Sequence, residues 1–109
     1  MLILPIKKKW FDMILSGEKK EEYREIKPYY IKRLANIFKV SEPLLIKLFQ
    51  QGSHQNLEII FRNGYSSDSL IFAADCELYI GKGKVEWGAA ADTEYIIFKI
   101  KKIKQTKES

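Results

Sequence analysis

The chain has 109 residues, 46% hydrophobic and 30% charged, which makes one domain with a single core and no room for a second. No apolar run approaches the 18 or so residues of a membrane helix, and the opening MLILPIKKKW sets its apolar residues before its positive charges, the reverse of a secretory signal. A cytoplasmic protein without membrane association is therefore expected, and 19 Lys and Arg against 14 Asp and Glu leave a net +5 that favours a polyanionic partner.

One cysteine, Cys76, excludes an internal disulfide, and the lone histidine, His54, lies too far from it in sequence for any metal-ligand spacing. Neither a metal nor another cofactor is expected. The positive charge clusters at Lys7 to Lys9, Lys19 and Lys20, Lys27 to Arg33, Lys82 and Lys84, and Lys99 to Lys107. These make a basic patch only if the fold gathers them.

In chain order, Met1 to Ile6 reads as a short buried strand, with Pro5 at an edge or a strand end. From Lys7 the pattern turns helical. Trp10, Met13 and Ile14 share a stripe beside Phe11 and Leu15, and Gly17 stands where a left-handed cap is wanted. Lys7, Lys8 and Lys9 carry the wrong sign for the start of a helix. Unpaired backbone N–H groups with lysines form an anion site, although lysine stems can also simply cover apolar surface.

Next comes GEKKEEYR, Gly17 to Arg24, the most densely charged stretch of the chain. Read as a strand, it puts Glu18, Lys20, Glu22 and Arg24 on one face and Lys19, Glu21 and Tyr23 on the other. Glu22 would then hold the Arg24 guanidinium in a fixed orientation, with donors left over for a phosphate or a carbonyl. The alternative is an exposed edge strand whose mixed charges block pairing with another sheet.

Pro28 suits the first turn of a second helix, with Tyr30, Ile31, Leu34, Ile37 and Phe38 as its core face and Lys32, Arg33, Asn36 and Lys39 outside. Ser41, Glu42 and Pro43 read as the cap and first turn of a third helix, Leu44 to Gln51, closed by Gly52. Tyrosines interleaved with cations, as in Lys27, Tyr29, Tyr30, Lys32 and Arg33, suit nucleic acid: rings stack on bases while cations take phosphates. Packing against the core is the competing role for these rings. His54 sits in a polar loop and reads as solvated.

The second half has period two. Leu57 to Phe61 is a strand that ends in the turn-forming Arg62-Asn63-Gly64. The clearest strand follows, with Leu70, Phe72, Ala74, Cys76, Leu78 and Ile80 on its apolar side and Asp75 and Glu77 opposite. GKGKVEWGAA, Gly81 to Ala90, is too rich in glycine for a regular strand. It suits either a mobile lip carrying Lys82 and Lys84 or a bulged connection with Trp87 plugging the core. Tyr95 to Ile103 alternates again, with Ile96, Phe98 and Ile100 inward, before a tail, KQTKES, read as frayed. The order of elements predicts an α+β domain with helices near one end of a small, mostly antiparallel sheet, best closed as a compact barrel.

Gly17, Lys19, Glu22 and Arg24 stand at the spacing G-x-K-x-x-E-x-R, after an apolar strand and a helix, and this resembles the signature of the ASCH family. FRNGY, Phe61 to Tyr65, and GKGKVEWGA, which is similar to the G-x-G-x-x-x-WGA of short bacterial and phage members, extend the resemblance over nearly the whole chain. It implies one ASCH domain over residues 1–109, a PUA-like β-barrel of five to six strands with flanking helices. It also implies a cleft beside the barrel where Lys19, Glu22 and Arg24 meet RNA or a nucleotide, with Gly17 at the turn.

One branch of that family deacetylates acetylcytidine with a lysine, a threonine and a glutamate. Here Lys19 matches the lysine, but Glu22 stands in the threonine position, and a carboxylate is a poor substitute for an activated hydroxyl. Other members are described as ribonucleases. For such an activity Lys19 and Arg24 would balance phosphate charge, with Glu22 as base and Glu86 as a weaker second acid.

The expectation is an RNA- or nucleotide-binding monomer, with contacts from Lys7, Lys8, Lys9, Lys19, Arg24, Tyr29, Lys32, Arg33, Lys82 and Lys84. A small hydrolase acting on RNA or a modified nucleoside through Lys19, Glu22 and Arg24 is the rival, and a phage accessory protein that binds a host protein is a third reading.

Overall fold

The structure, a computed structural model, describes residues 1–108, with side chains through Lys104. The chain runs β1 (Leu2–Ile6), α1 (Lys8–Leu15), β2 (Glu21–Arg24), α2 (Pro28–Phe38), α3 (Glu42–Gln50), β3 (Gln55–Asn63), β4 (Leu70–Lys82), a single 3₁₀ turn (Val85–Trp87) and β5 (Glu94–Glu108). The strands form one sheet in the order β1-β3-β4-β5-β2, with β1 parallel to β3 and every other pair antiparallel. The α+β class and the small curled sheet agree with expectation.

The strands follow their side-chain alternation. On β4, Phe72, Ala74, Cys76 and Leu78 are buried while the residues between them are half-buried. Leu2, Leu4 and Ile6 of β1, Ile59 and Phe61 of β3, and Ile96 and Phe98 of β5 join them in one core. The helices cover that face with Phe11 and Ile14 of α1, Ile31, Leu34 and Ala35 of α2, and Leu45 and Phe49 of α3. Phe72 anchors the centre, with Phe11 5.0 Å from it and Phe61 5.1 Å from it, centroid to centroid.

Local signals set the helix ends. Ser41 Oγ accepts from Leu44 N at 3.2 Å, and Pro28 opens α2. Gly17 has φ +85, the left-handed cap that lets the chain leave α1 and run to β2. Its N–H returns to Ile14 O at 3.1 Å, and Lys19 N to Met13 O at 2.9 Å.

Two expectations need correction. The strand read over Gly17 to Arg24 begins only at Glu21, so the two-face division of GEKKEEYR does not reach Lys19. The tail read as frayed continues β5 to Glu108, because the thirteen residues of β4 offer a full-length ladder; Gln105 pairs with Ala73 and Glu108 with Leu70. Register shifts between Ala73 and Ala74 and between Asp75 and Cys76 keep the long pair matched. His54, read as a solvated loop residue, is exposed in the loop before β3, where its ring also stacks on Tyr79 at 4.3 Å with its Nδ1 3.4 Å from Glu77 Oε2. The side chain of Lys107, the last of the basic clusters, lies outside the described residues.

The other face of the sheet is also partly covered. Ile97 points away from the helices into a second, smaller cluster with Tyr23 and Ala89, flanked by Tyr79, Trp87 and Tyr95. The segment after β4 makes this cover, and it lies close: a Cβ on Gly83 would sit 2.7 Å from both Ala89 Cβ and Tyr23 Cε1. Only glycine fits there.

Burial pushes the Cys76 thiol up from 9.0 to about 12, with Asp75 adding to the effect. A raised thiol favours the folded state fully below pH 9, and this contribution is lost as pH rises through about 12. Unfolding measured from pH 8 to 11 should therefore show an alkaline loss of stability that is reduced in Cys76→Ala, with about 4 kcal/mol as its limiting size. Identical pH slopes for the two proteins would contradict this assignment.

Candidate nucleic-acid interface

The residues of GEKKEEYR converge on one carboxylate. Glu22 Oε1 lies 3.1 Å from Lys19 Nζ and Oε2 lies 2.7 Å from Arg24 Nη1. Lys19 and Glu22 are the two buried charged residues among the described ones, at 1% and 5% exposure. Lys19 reaches Glu22 because Gly17 turns the chain back under α1, so both side chains meet beneath the start of β2.

Lys19 is enclosed on every side that the structure shows. Its Nζ lies 4.7 Å from the Trp10 ring centroid and 5.0 Å from that of Tyr23, and it donates to the carbonyl of Trp87. Ring faces are good company for a cation out of water. Burial lowers the Lys19 pKa, and the Glu22 carboxylate opposes that shift through charge and hydrogen bonding.

Arg24 reaches further. Nη1 also donates to Tyr23 O at 2.8 Å, and Nη2 donates to Pro5 O at 2.9 Å. Pro5 belongs to β1 and Arg24 to β2, the two outer strands of the sheet. The sheet therefore curls until its edges are bridged by one guanidinium.

Tyr23, beside them, has an equally defined place. Its hydroxyl donates to Glu21 Oε1 at 2.7 Å and accepts from Lys84 N at 2.9 Å, while Tyr79 donates to Glu21 Oε2 at 3.4 Å. Burial, first, and the Glu21 carboxylate raise the pKa of both tyrosines.

Over this base, between β1 and β2, lies a cleft of about 640 Å³. Pro5, Ile6 and Lys7 form one wall and Glu22 to Glu25 the other; Trp10, Trp87, Gly88 and Tyr95 line it, with Gly64 and Tyr65 at the loop after β3. A second hollow of about 490 Å³ lies among Ile26, Ile31, Ile46, Phe49 and Ile80, and its one charged lining residue is Glu94. For an anionic ligand the first cleft is the candidate.

The expected contact residues do not all gather there. Lys7 and Arg24 line the cleft, and Lys19 lies beneath it. Lys9 lies over the Trp10 ring and Lys84 over the Trp87 ring, each at 4.5 Å, so both stand beside cleft residues. Lys8 pairs with Asp12 at 2.6 Å along α1, and Lys82 with Asp92 at 3.5 Å.

Tyr29 and Arg33 pair with each other on α2, where Lys32 is exposed. Arg33 borders a separate small hollow beside Met1. Trp87 is neither a core plug nor free: it is half-buried, packed on the second cluster and open to the cleft. Glu86 is exposed.

Tyr65, Tyr95 and Trp10 were missed as cleft residues. FRNGY carried the only signal for Tyr65; for Trp10 the helical stripe pointed to the core instead.

Compared with known proteins, the chain matches no family model, no curated protein and no solved structure.

The pair energetics make an asymmetric prediction. Glu22→Gln leaves Lys19 and Arg24 facing each other without a counter-charge and should cost about 3 to 5 kcal/mol in denaturant unfolding, whereas Lys19→Met keeps the Glu22–Arg24 pair and should cost less. Without Glu22 the Lys19 pKa falls further, so the unfolded state holds more protons up to pH 10.5 and stability rises with pH there. The gap between wild type and Glu22→Gln should narrow from pH 7 to pH 10. A constant gap would mean that Lys19 does not sense Glu22.

Proposed function

We propose that the chain is an RNA- or nucleotide-binding module of the ASCH type, with a PUA-like fold, and that the ligand enters the cleft between β1 and β2. The observation that carries the reading is the composition of that cleft. A fixed guanidinium, Arg24, and an exposed lysine, Lys7, border a hollow lined also by the rings of Trp10, Tyr23, Tyr65, Trp87 and Tyr95 and by the carboxylates of Glu22 and Glu25, inside a protein of net charge +5. Cations meet phosphate and rings meet bases; a cleft with both suits single-stranded nucleic acid.

The resemblance gains coherence from one contact. Lys19 of the first motif and Trp87 of the second are 68 positions apart, yet the lysine donates to the tryptophan carbonyl. The two motifs that carry the resemblance thus touch each other.

Binding fits this geometry better than turnover does. A lysine that attacks or transfers a proton must reach its substrate, and the side chain of Lys19 is fully enclosed. Both oxygens of Glu22 are engaged by cations. They read as a frame that orients Arg24.

The test is titration of a labelled single-stranded RNA at several salt concentrations, with the RNA checked for cleavage. Affinity should fall as salt rises, and Lys7→Gln, at an exposed site, should flatten the slope of log K against log salt by about 0.7. The RNA should remain intact. Cleavage that disappears in Glu22→Gln would make the protein a hydrolase, and no binding at any salt would defeat the nucleic-acid reading.

A further inference from the structure

The cations of the motif are the natural phosphate ligands of this cleft, yet most of their bonding capacity is already spent. Of the five N–H donors of a guanidinium, Arg24 commits three, to Glu22 Oε2, Tyr23 O and Pro5 O. Lys19 is sealed beneath the cleft, and Glu22, which opens on it, is an anion. A bare phosphate placed on this base would meet a carboxylate and a guanidinium edge with two donors left. That is poor chemistry for a dianion.

The aromatic lining has a different balance. Trp10 has Lys9 and Lys19 over its ring and Gly88 against its edge; Tyr23 packs on Tyr95 at 5.6 Å beneath Lys19; Trp87 has Lys84 over its ring. Tyr65 differs. It is 88% exposed, lines the cleft, and has no ring or cation partner among the described residues. A large ring left in water at the mouth of an aromatic cleft is a stacking surface with nothing yet on it.

We infer that the cleft takes an unpaired nucleobase rather than a phosphate, with the base stacked on Tyr65 and its polar edge at the two remaining donors of Arg24. The backbone phosphate stays outside, at Lys7. Lys7 is exposed and has no ion pair among the described residues. The ligand class is therefore single-stranded RNA at a loop or an end, where a base is free to leave its neighbours. The inference rests on the nucleic-acid reading above and adds what the cleft itself recognises.

The test uses two oligomers of equal length and charge: a ten-nucleotide oligouridine, and the same ribose-phosphate chain without bases. Wild type should bind the oligouridine at least tenfold more tightly. Tyr65→Ala should weaken that binding roughly 5- to 150-fold, as expected for one lost stack, while leaving the baseless chain unaffected; Tyr65→Phe should retain it. Equal affinity of wild type for the two oligomers, or an unchanged affinity in Tyr65→Ala, would overturn the base-binding inference and leave the nucleic-acid reading standing. Failure to bind either oligomer would overturn both.

Discussion

The carboxylate of Glu22, held between Lys19 and Arg24, is the interaction on which the rest of the architecture turns. On one side it compensates a lysine that has no access to water, and that lysine in turn holds the Trp87 carbonyl. The segment covering the second face of the sheet is thereby tied to the end of α1. On the other side it orients a guanidinium that reaches across to Pro5 O and joins the outer strands. Two chain segments distant in sequence and two edges of the sheet are fixed through one anion.

That arrangement explains why the cleft lies where it does. A five-stranded sheet that curls without closing leaves a seam, and edge strands with unpaired backbone groups invite pairing with another chain. Here β2 is only four residues long and β1 only five, both short enough to offer little ladder. The seam between them is crossed by Arg24 rather than by a continued ladder. Rings from α1, β2 and the segment after β4 fill its depth, and the gap that remains is the cleft. The opening and the bridge across it have the same origin.

Much of the fold could be read from the sequence because its signals are local. The alternation in β4, the Ser41 cap, Pro28 and the glycine after Leu15 each fix an element through neighbours in the chain. The site was legible only in part. G-x-K-x-x-E-x-R singled out side chains that do meet, at Glu22, but period-two reasoning set Lys19 on the face opposite Glu22. The strand starts two residues after Lys19, so that alternation never applied to it. The partner that engages Arg24, the Pro5 carbonyl, depends on how far the sheet curls, which no local pattern encodes. The burial of Ile97, which alternates with the inward Ile96 and Phe98, was hidden for the same kind of reason: its cover, Ala89, Trp87 and their neighbours, comes from a glycine-rich segment without periodicity. The basic face of α2 was legible as a pattern but its distance from the cleft was not, since amphipathicity says which residues face out and nothing about what they face.

Stability alone gives no account of the Lys19–Glu22–Arg24 triad. Removing a lysine and a glutamate from water is costly, and well-packed hydrophobic residues of similar volume commonly hold a fold equally well or better. What such residues would not supply is direction. A guanidinium fixed by a carboxylate and two backbone carbonyls has little freedom left to lose when a ligand arrives, so its remaining donors are placed before binding rather than by it. The enclosed lysine then has an indirect part: it balances the second oxygen of Glu22, allowing that carboxylate to sit at the base of the cleft without an uncompensated charge. The charged motif is the frame, and exposed Tyr65, the half-buried rings beside it and exposed Lys7 are the surface a ligand would meet.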